Sequence, residues 1–144
     1  IMTREMESVS DEILYSTDDG TFGHHGLVTD VLKQVIERGE PIAEVLAIGP
    51  APMMRAACNL TRTYGLKTIV SLNALMVDGT GMCGCCRVTV GNEVKFSCVD
   101  GPEFDGHLVD FAELSNRQRQ FIPQEKQALE AYHGKREGCR CESA

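Results

Sequence analysis

The sequence predicts an α/β fold in three parts: a parallel sheet of the doubly wound type, a small loop-and-hairpin subdomain, and C-terminal helices. Three observations lead there. Strand-like and helix-like apolar runs alternate through the first 73 residues. From residue 74 glycines and cysteines crowd into one short loop that opens a hairpin pattern. Residues 112–144 are polar and carry two helical segments.

The elements follow in chain order. Ile13-Leu14-Tyr15 gives a short strand over 12–16, closed by Thr17-Asp18-Asp19-Gly20. Leu27, Val28, Val31, Leu32, Val35 and Ile36 recur at helical spacing, with Gly39 as the stop. Residues 44–48 form a buried-type strand ended by Gly49-Pro50. Met53, Met54, Ala56, Ala57 and Leu60 mark the apolar side of a helix over 52–63, and Gly65 ends it. Residues 67–72 form a third strand. Two consecutive βαβ units result, and ligands of such sheets sit beyond the carboxyl ends of the strands. Thr17 to Gly26, Gly49 to Met53 and the chain from Asn73 onward meet that edge.

Farther on, Arg87 to Val90 and Glu93 to Phe96 flank Gly91-Asn92, a two-residue hairpin turn. Asp100-Gly101-Pro102 breaks the chain. Helices follow from Ala112 to Phe121 and from Pro123 to Tyr132, the second stopped by Gly134, before a polar tail.

Composition narrows the function. The chain has 144 residues, 42% hydrophobic and 24% charged, a globular composition with no run of roughly 18 apolar residues. Its net charge of −7 argues against nucleic acid or an anionic membrane as the main partner. Seven cysteines stand at 58, 83, 85, 86, 98, 139 and 141. The odd number and the cluster at 83–86 point away from a secreted disulfide framework, toward a reducing, cytoplasmic setting and a metal or iron–sulfur site.

Cys83 and Cys86 have the Cys-x-x-Cys spacing that sets two sulfurs on one site, and the hairpin folds Cys98 back beside them. Four residues separate Asp78 from Cys83, two separate Cys83 from Cys86, and eleven separate Cys86 from Cys98. This is the plant-type [2Fe–2S] spacing with aspartate in the first place. A structural zinc held by Cys83, Cys85, Cys86 and Cys98 is the competing arrangement, and a strict two-residue hairpin places Cys85 opposite Cys98. Zinc lacks the second Cys-x-x-Cys pair or nearby His of a standard knuckle.

The run from Met76 to Val90, the run from Cys98 to Gly106, Thr17 to Gly23 and Ile48 to Met54 carry a family resemblance. They resemble the flavin and [2Fe–2S] small subunit of NADH-dependent ferredoxin:NADP oxidoreductase, the sulfide dehydrogenase subunit type. A related group is the electron-transfer subunit of dihydroorotate dehydrogenase. The match covers about residues 11 to 111.

The resemblance implies that the chain is the C-terminal portion of a longer flavoprotein. Residues 1–74 would be the C-terminal part of a ferredoxin-reductase-like pyridine-nucleotide domain, hence a partial sheet. Residues 75–111 would be the cluster subdomain, and 112–144 C-terminal helices and tail. It favours Asp78, Cys83, Cys86 and Cys98 as ligands, with Cys85 a bystander, and Asp18, Gly20, Gly49, Pro50 and Met53 for NAD(P). FAD would sit mostly outside this chain. The family's sheet order, 3-2-1-4-5, implies that 44–48 and 67–72 pair while 12–16 stands detached from them, pairs with them in a non-family order, or meets another chain. The partners implied are a larger flavin/iron–sulfur subunit and ferredoxin or another redox acceptor.

The activity expected is therefore an oxidoreductase's electron transfer, with no catalytic acid or base on this chain. The alternative is a zinc-stabilised α/β binding module without redox role. The remaining candidates read plainly. Cys58 is a buried small hydrophobe, His24 and His25 are exposed loop residues, His107 packs or hydrogen-bonds, and Cys139 and Cys141 belong to a frayed tail.

Overall fold

The structure is a computed structural model that describes residues 2–138; Cys139 and Cys141 lie outside the described residues. In chain order the elements are α1 (Thr3–Val9), β1 (Ser16–Thr17), β2 (His24–His25), α2 (Val28–Glu37), β3 (Val45–Ile48), α3 (Ala51–Thr63), β4 (Thr68–Ser71), β5 (Arg87–Val90), β6 (Glu93–Phe96), β7 (Glu103–Asp105), α4 (Phe111–Gln118) and α5 (Ile122–Gly138).

One βαβ unit forms as the apolar pattern requires. β3 and β4 run parallel with Val45 opposite Thr68 and Ile48 opposite Ser71, and α3 crosses between them. Pro50 and Pro52 suit its first turn, where an N–H has no intrahelical partner. Met54, Ala57 and Cys58 of α3 are buried against Ala47 and Val70 of the sheet. That core continues through Leu72, Val88, Phe104, Phe111 and Leu114, so residues on both sides of the cysteine loop share one apolar interior.

The first of the two expected βαβ units is absent. Of the expected strand 12–16 only Ser16 enters a ladder, where Ser16–Thr17 pairs in parallel with His24–His25 inside its own loop. Its backbone groups close locally: the His24 N–H donates to the Tyr15 carbonyl and the Gly26 N–H to the Thr17 carbonyl. Residues 12–16 are thus detached from β3 and β4, one of the arrangements the family order implies. The outer edge of β3 has no partner strand among the described residues, and Leu46 and Ile48 are exposed.

β7 is an element the residue pattern did not announce. After Gly101-Pro102 the chain pairs antiparallel with β4, Phe104 opposite Val70. Three residues are too few for a periodicity to show. Gly106 ends this strand in contact with Cys58 and Val70, where a Cβ would collide. A buried hydroxyl chain closes the corner: Thr68 Oγ1 donates to Thr61 Oγ1 at 2.6 Å, and His107 Nε2 lies 3.1 Å from Thr61 Oγ1. Arg62 Nη2 donates to the His107 carbonyl. His107 is therefore a hydrogen-bonding residue, as expected.

The terminal helices also differ from the sequence pattern. α1 was not foreseen because it buries nothing and so has no apolar stripe. α5 continues through Gly134, where a stop was expected, to Gly138. A helix tolerates an interior glycine at a cost of about 1 kcal/mol.

Candidate metal centre

Two regions meet the carboxyl edge of β3 and β4. The first is the loop between β1 and β2, which is held by its own polar groups. Asp19 Oδ1 accepts the Thr21 N–H at 3.0 Å and the Thr21 hydroxyl at 2.7 Å. Those bonds hold the Asp19 carboxyl below the usual carboxylate range. Thr17 Oγ1 accepts the Phe22 N–H, and the Tyr15 and Phe22 rings lie 4.8 Å apart. Beside this loop is an open cavity of about 500 Å³ lined by Asp18, Leu27, Val28, Pro50 and Met53 among others. The structure brings Asp18, Pro50 and Met53 together there. Gly20 and Gly49 flank that cavity without lining it. Gly20 is left-handed, with φ +70°, and a Cβ on Gly49 would meet the Met53 methyl.

The second region is the loop from Asn73 to Cys86. Asp78 Oδ1 accepts the Thr80 N–H at 2.9 Å, folding the chain over Gly79. Gly81 and Gly84 then take φ of +82° and +69°, a conformation that favours glycine. The Gly81 N–H turns toward the Cys98 sulfur. The Thr80 N–H holds the exposed Asp78 carboxyl below its ordinary range, and hydrogen bonds with Cys83 add to it. Asp78 is therefore an anionic oxygen donor next to Cys83.

Cys86 is buried and its Sγ lies 3.2 Å from Cys98 Sγ. The hairpin register explains this only in part. β5 and β6 pair with Arg87 opposite Phe96 and Val90 opposite Glu93, across Gly91-Asn92 with φ of +56° and +71°. Extending that ladder sets Cys86 opposite Ser97, and the Ser97 N–H does donate to the Cys86 carbonyl. One step farther would set Cys85 opposite Cys98. The chain turns first: the N–H groups of Val99 and Asp100 both reach the Phe96 carbonyl, and Asp100 Oδ2 accepts the Phe96 N–H. That turn swings Cys98 back to Cys86.

The Cys98 thiol is raised by its hydrogen bond to Cys86 and by burial, and the Gly81 N–H opposes both. The Cys85 thiol is raised by burial and by its contact with Cys83, and the Arg117 charge opposes this. Cys58 is far less reactive: burial pushes its thiol up to about 11.

Among the described residues no three His, Cys, Asp or Glu side chains converge as one ion requires. The donors fall into two groups instead, Cys86 with Cys98, and Cys83 with both Asp78 and Cys85 beside it. A two-iron centre asks for two such groups, with two protein donors on each metal. Two sulfurs each about 2.3 Å from a tetrahedral ion stand about 3.8 Å apart, so Cys86 and Cys98 need part by only about half an ångström. Ser97 Oγ, across the hairpin from Cys86, is a buried hydroxyl with no partner among the described residues.

Three residues that hold this loop and the hairpin after it carry no signal in the residue pattern. Glu113, Arg117 and Gln118 of α4 bond to Thr89, Cys85 and Asn73. On a polar helix face their close spacing does not set them apart.

A glycine-shaped loop of thiols and one carboxylate, fixed to a hairpin at the edge of a βαβ sheet, defines an iron–sulfur-binding module of the electron-transfer class. Residues 73–110 match the iron-sulfur cluster binding domain of dihydroorotate dehydrogenase B. Similar proteins agree. The electron transfer subunit homolog of dihydroorotate dehydrogenase B (NAD(+)) from Thermotoga maritima is 46% identical over 92% of this chain and 46% of its own length. An uncharacterized protein in the adh 3′ region of Clostridium beijerinckii is 44% identical over 98% of this chain and 49% of its own. A chain of the NADH-dependent reduced ferredoxin-NADP oxidoreductase, solved to understand flavin-based electron bifurcation, superposes with a TM-score of 0.81 at 45% identity, over 92% of this chain and 47% of that one. The chain thus carries, over residues 73–110, the iron–sulfur cluster binding domain of dihydroorotate dehydrogenase B, is similar over most of its length to electron transfer subunits of that type, and spans about half the length of the relatives it matches.

Proposed function

We propose that the chain carries electrons between NAD(P)H, a flavin and a partner iron–sulfur subunit through a [2Fe–2S] cluster, as part of an oxidoreductase resembling ferredoxin:NADP oxidoreductase. The approach of Cys86 Sγ and Cys98 Sγ to 3.2 Å, beside a loop that holds Asp78 against Cys83, carries this reading. When bound, the cluster supplies one-electron chemistry between the two-electron donors NAD(P)H and flavin and a one-electron partner.

The chain's own residues then have distinct tasks. Cys83, Cys86 and Cys98 hold the metals as thiolates, and Asp78 supplies a harder, less covalent ligand that changes the potential of its iron. The Gly81 N–H donates to the Cys98 sulfur and stabilises negative charge there. Asp18 accepts hydroxyls of a nucleotide ribose, and Pro50 and Met53 form the apolar floor for the nicotinamide in the cavity they share. Gly49 keeps that floor clear, and Gly20 shapes the loop. No side chain needs to move a proton. FAD is assigned mostly to residues outside this chain, whose relatives are about twice as long.

The surface around the cluster loop suits a protein partner. Met82 is 88% exposed, Val77 69% and Val99 56%, all close in sequence to the proposed ligands. The partner is a larger flavin/iron–sulfur subunit, with ferredoxin or another redox acceptor beyond it. No helix among the described residues is long and apolar enough to cross a membrane, and a cytoplasmic setting suits the free thiols. On this reading 1–74, 75–111 and 112–144 are functional divisions of one packed unit.

Anaerobic purification with iron, sulfide and zinc analysis tests the proposal. About two irons and two sulfides per chain are expected. One zinc and no colour would instead establish the zinc-stabilised binding module.

A further inference from the structure

Helix α4 begins where the family-matched segment 73–110 has just ended, yet three of its side chains hold that segment. Glu113 Oε2 accepts the Thr89 N–H at 3.1 Å. Arg117 Nη2 donates to the Cys85 carbonyl at 3.1 Å. Gln118 Nε2 lies 3.0 Å from both the carbonyl and the side-chain oxygen of Asn73. These contacts fall on the start of the cysteine loop, its end, and the first strand of the hairpin. Glu113 and Arg117 are four apart and share a face, with Gln118 on its flank.

The helix itself is fixed. Its other side buries Phe111 and Leu114 in the core, and Asp110 Oδ1 accepts the Ala112 and Glu113 N–H groups at its start. It is a strut between the core and a loop otherwise held by its own turns, by Arg87 at the Gly84 carbonyl and by the contacts of Gly81 and Cys86 with Cys98. Arg117 differs from its two neighbours in carrying a positive charge, and no carboxylate lies within ion-pair distance of it among the described residues. Its guanidinium bonds the carbonyl of the residue directly before Cys86.

We propose that α4 clamps the cysteine loop and that Arg117 is a positioning residue whose uncompensated charge also raises the reduction potential of the metal centre. The potential half of this inference rests on the cluster reading above; the clamp half does not. Reduction adds one negative charge to the centre, and a fixed cation beside it stabilises the reduced form. Lysine at 117 would keep the charge but lose the planar fork that fixes the carbonyl.

The experiment compares native protein with Arg117→Gln and Arg117→Lys, purified anaerobically as the full subunit with its partner and matched for metal content. The first readout is amide exchange across residues 79–86, which needs no particular metal. Both variants should exchange at least threefold faster there, with the core of α3 unchanged. Equal exchange in all three proteins would overturn the clamp. The second readout is a potentiometric titration followed by electron paramagnetic resonance. Arg117→Gln should disfavour reduction at least threefold, about 28 mV at 59 mV per tenfold for one electron. Arg117→Lys should stay within twofold of native. A native-like midpoint in Arg117→Gln, or an equal fall in both variants, would overturn the electrostatic role. If the native protein holds zinc, the cluster reading fails and the potential half with it, while the exchange comparison still decides the clamp.

Discussion

Gly106→Ala tests whether the corner joining the cluster segment to the sheet is packed as tightly as the structure indicates. An added Cβ would stand 2.8 Å from Val70 Cγ1 and closer still to Cys58 Sγ. Ordinary carbon contacts lie at about 3.5–4.0 Å, so the overlap with Val70 alone is near 1 Å. Val70 is 0% exposed and Cys58 2%, which leaves neither an empty side to move into. Overpacking of this kind costs about 1–3 kcal/mol, and two simultaneous overlaps favour the upper end, about 3 kcal/mol. Cys58→Ala alone removes one buried heavy atom, worth about 1 kcal/mol. In the double variant the vacated sulfur site accepts the new methyl. The total should then be about 2 kcal/mol rather than the additive figure of about 4. Anaerobic urea unfolding measures this, with circular dichroism and visible absorbance required to coincide so that one transition is read. At a slope near 2 kcal/mol/M, Gly106→Ala lowers the midpoint by about 1.5 M. Additivity of the two substitutions within about 0.5 kcal/mol would show that Gly106 and Cys58 do not share that space.

Cys58, with its thiol at about 11, is about one part in a thousand thiolate at pH 8; in metal-free protein iodoacetamide should label it at least tenfold slower than exposed Cys83, with the rate climbing as pH approaches 11, as mass spectrometry would show. Asp19 has a folded pKa below its unfolded one, so its support of the 17–26 loop is present above about pH 4 and is lost as pH falls through the folded value. Asp19→Asn should therefore speed amide exchange in that loop at pH 7, and the two proteins should converge in acid. Val99→Glu puts a charge on the exposed rim of the cysteine loop; it should slow electron transfer to the partner subunit severalfold while NAD(P)H-to-dye activity of the complete protein stays within twofold, and equal loss of both would remove the docking role.

How much of this was legible depended on what kind of signal each element leaves. β3, α3, β4 and the 87–96 hairpin stood out because their apolar periods are clean and their turns use Gly49-Pro50 and Gly91-Asn92. The thiol loop stood out through spacing. The sequence could not separate Cys85 from Cys86 as neighbour of Cys98, since that depends on a turn after Phe96 made by backbone bonds and by Asp100. The first strand misled because Ile13-Leu14-Tyr15 has strand composition, while pairing depends on a neighbour strand, and among the described residues the only ladder there is Ser16–Thr17 with His24–His25. β7 was too short to show a period, and its place beside β4 is fixed by Gly106, Phe104 and the Thr61–Thr68–His107 chain. The α4 contacts were invisible because polar residues on a helix face look alike whether they meet water or a backbone carbonyl.

The central claim is that Asp78, Cys83, Cys86 and Cys98 hold a [2Fe–2S] cluster and that Cys85 does not. Iron and acid-labile sulfide per chain, measured side by side in Cys85→Ser and Cys83→Ser after anaerobic purification, test it most directly. Cys85→Ser should retain about two irons and two sulfides, and Cys83→Ser should retain neither. A cluster that survives in Cys83→Ser and vanishes in Cys85→Ser would put the ligand on the wrong side of Gly84 and overturn the pairing of Asp78 with Cys83.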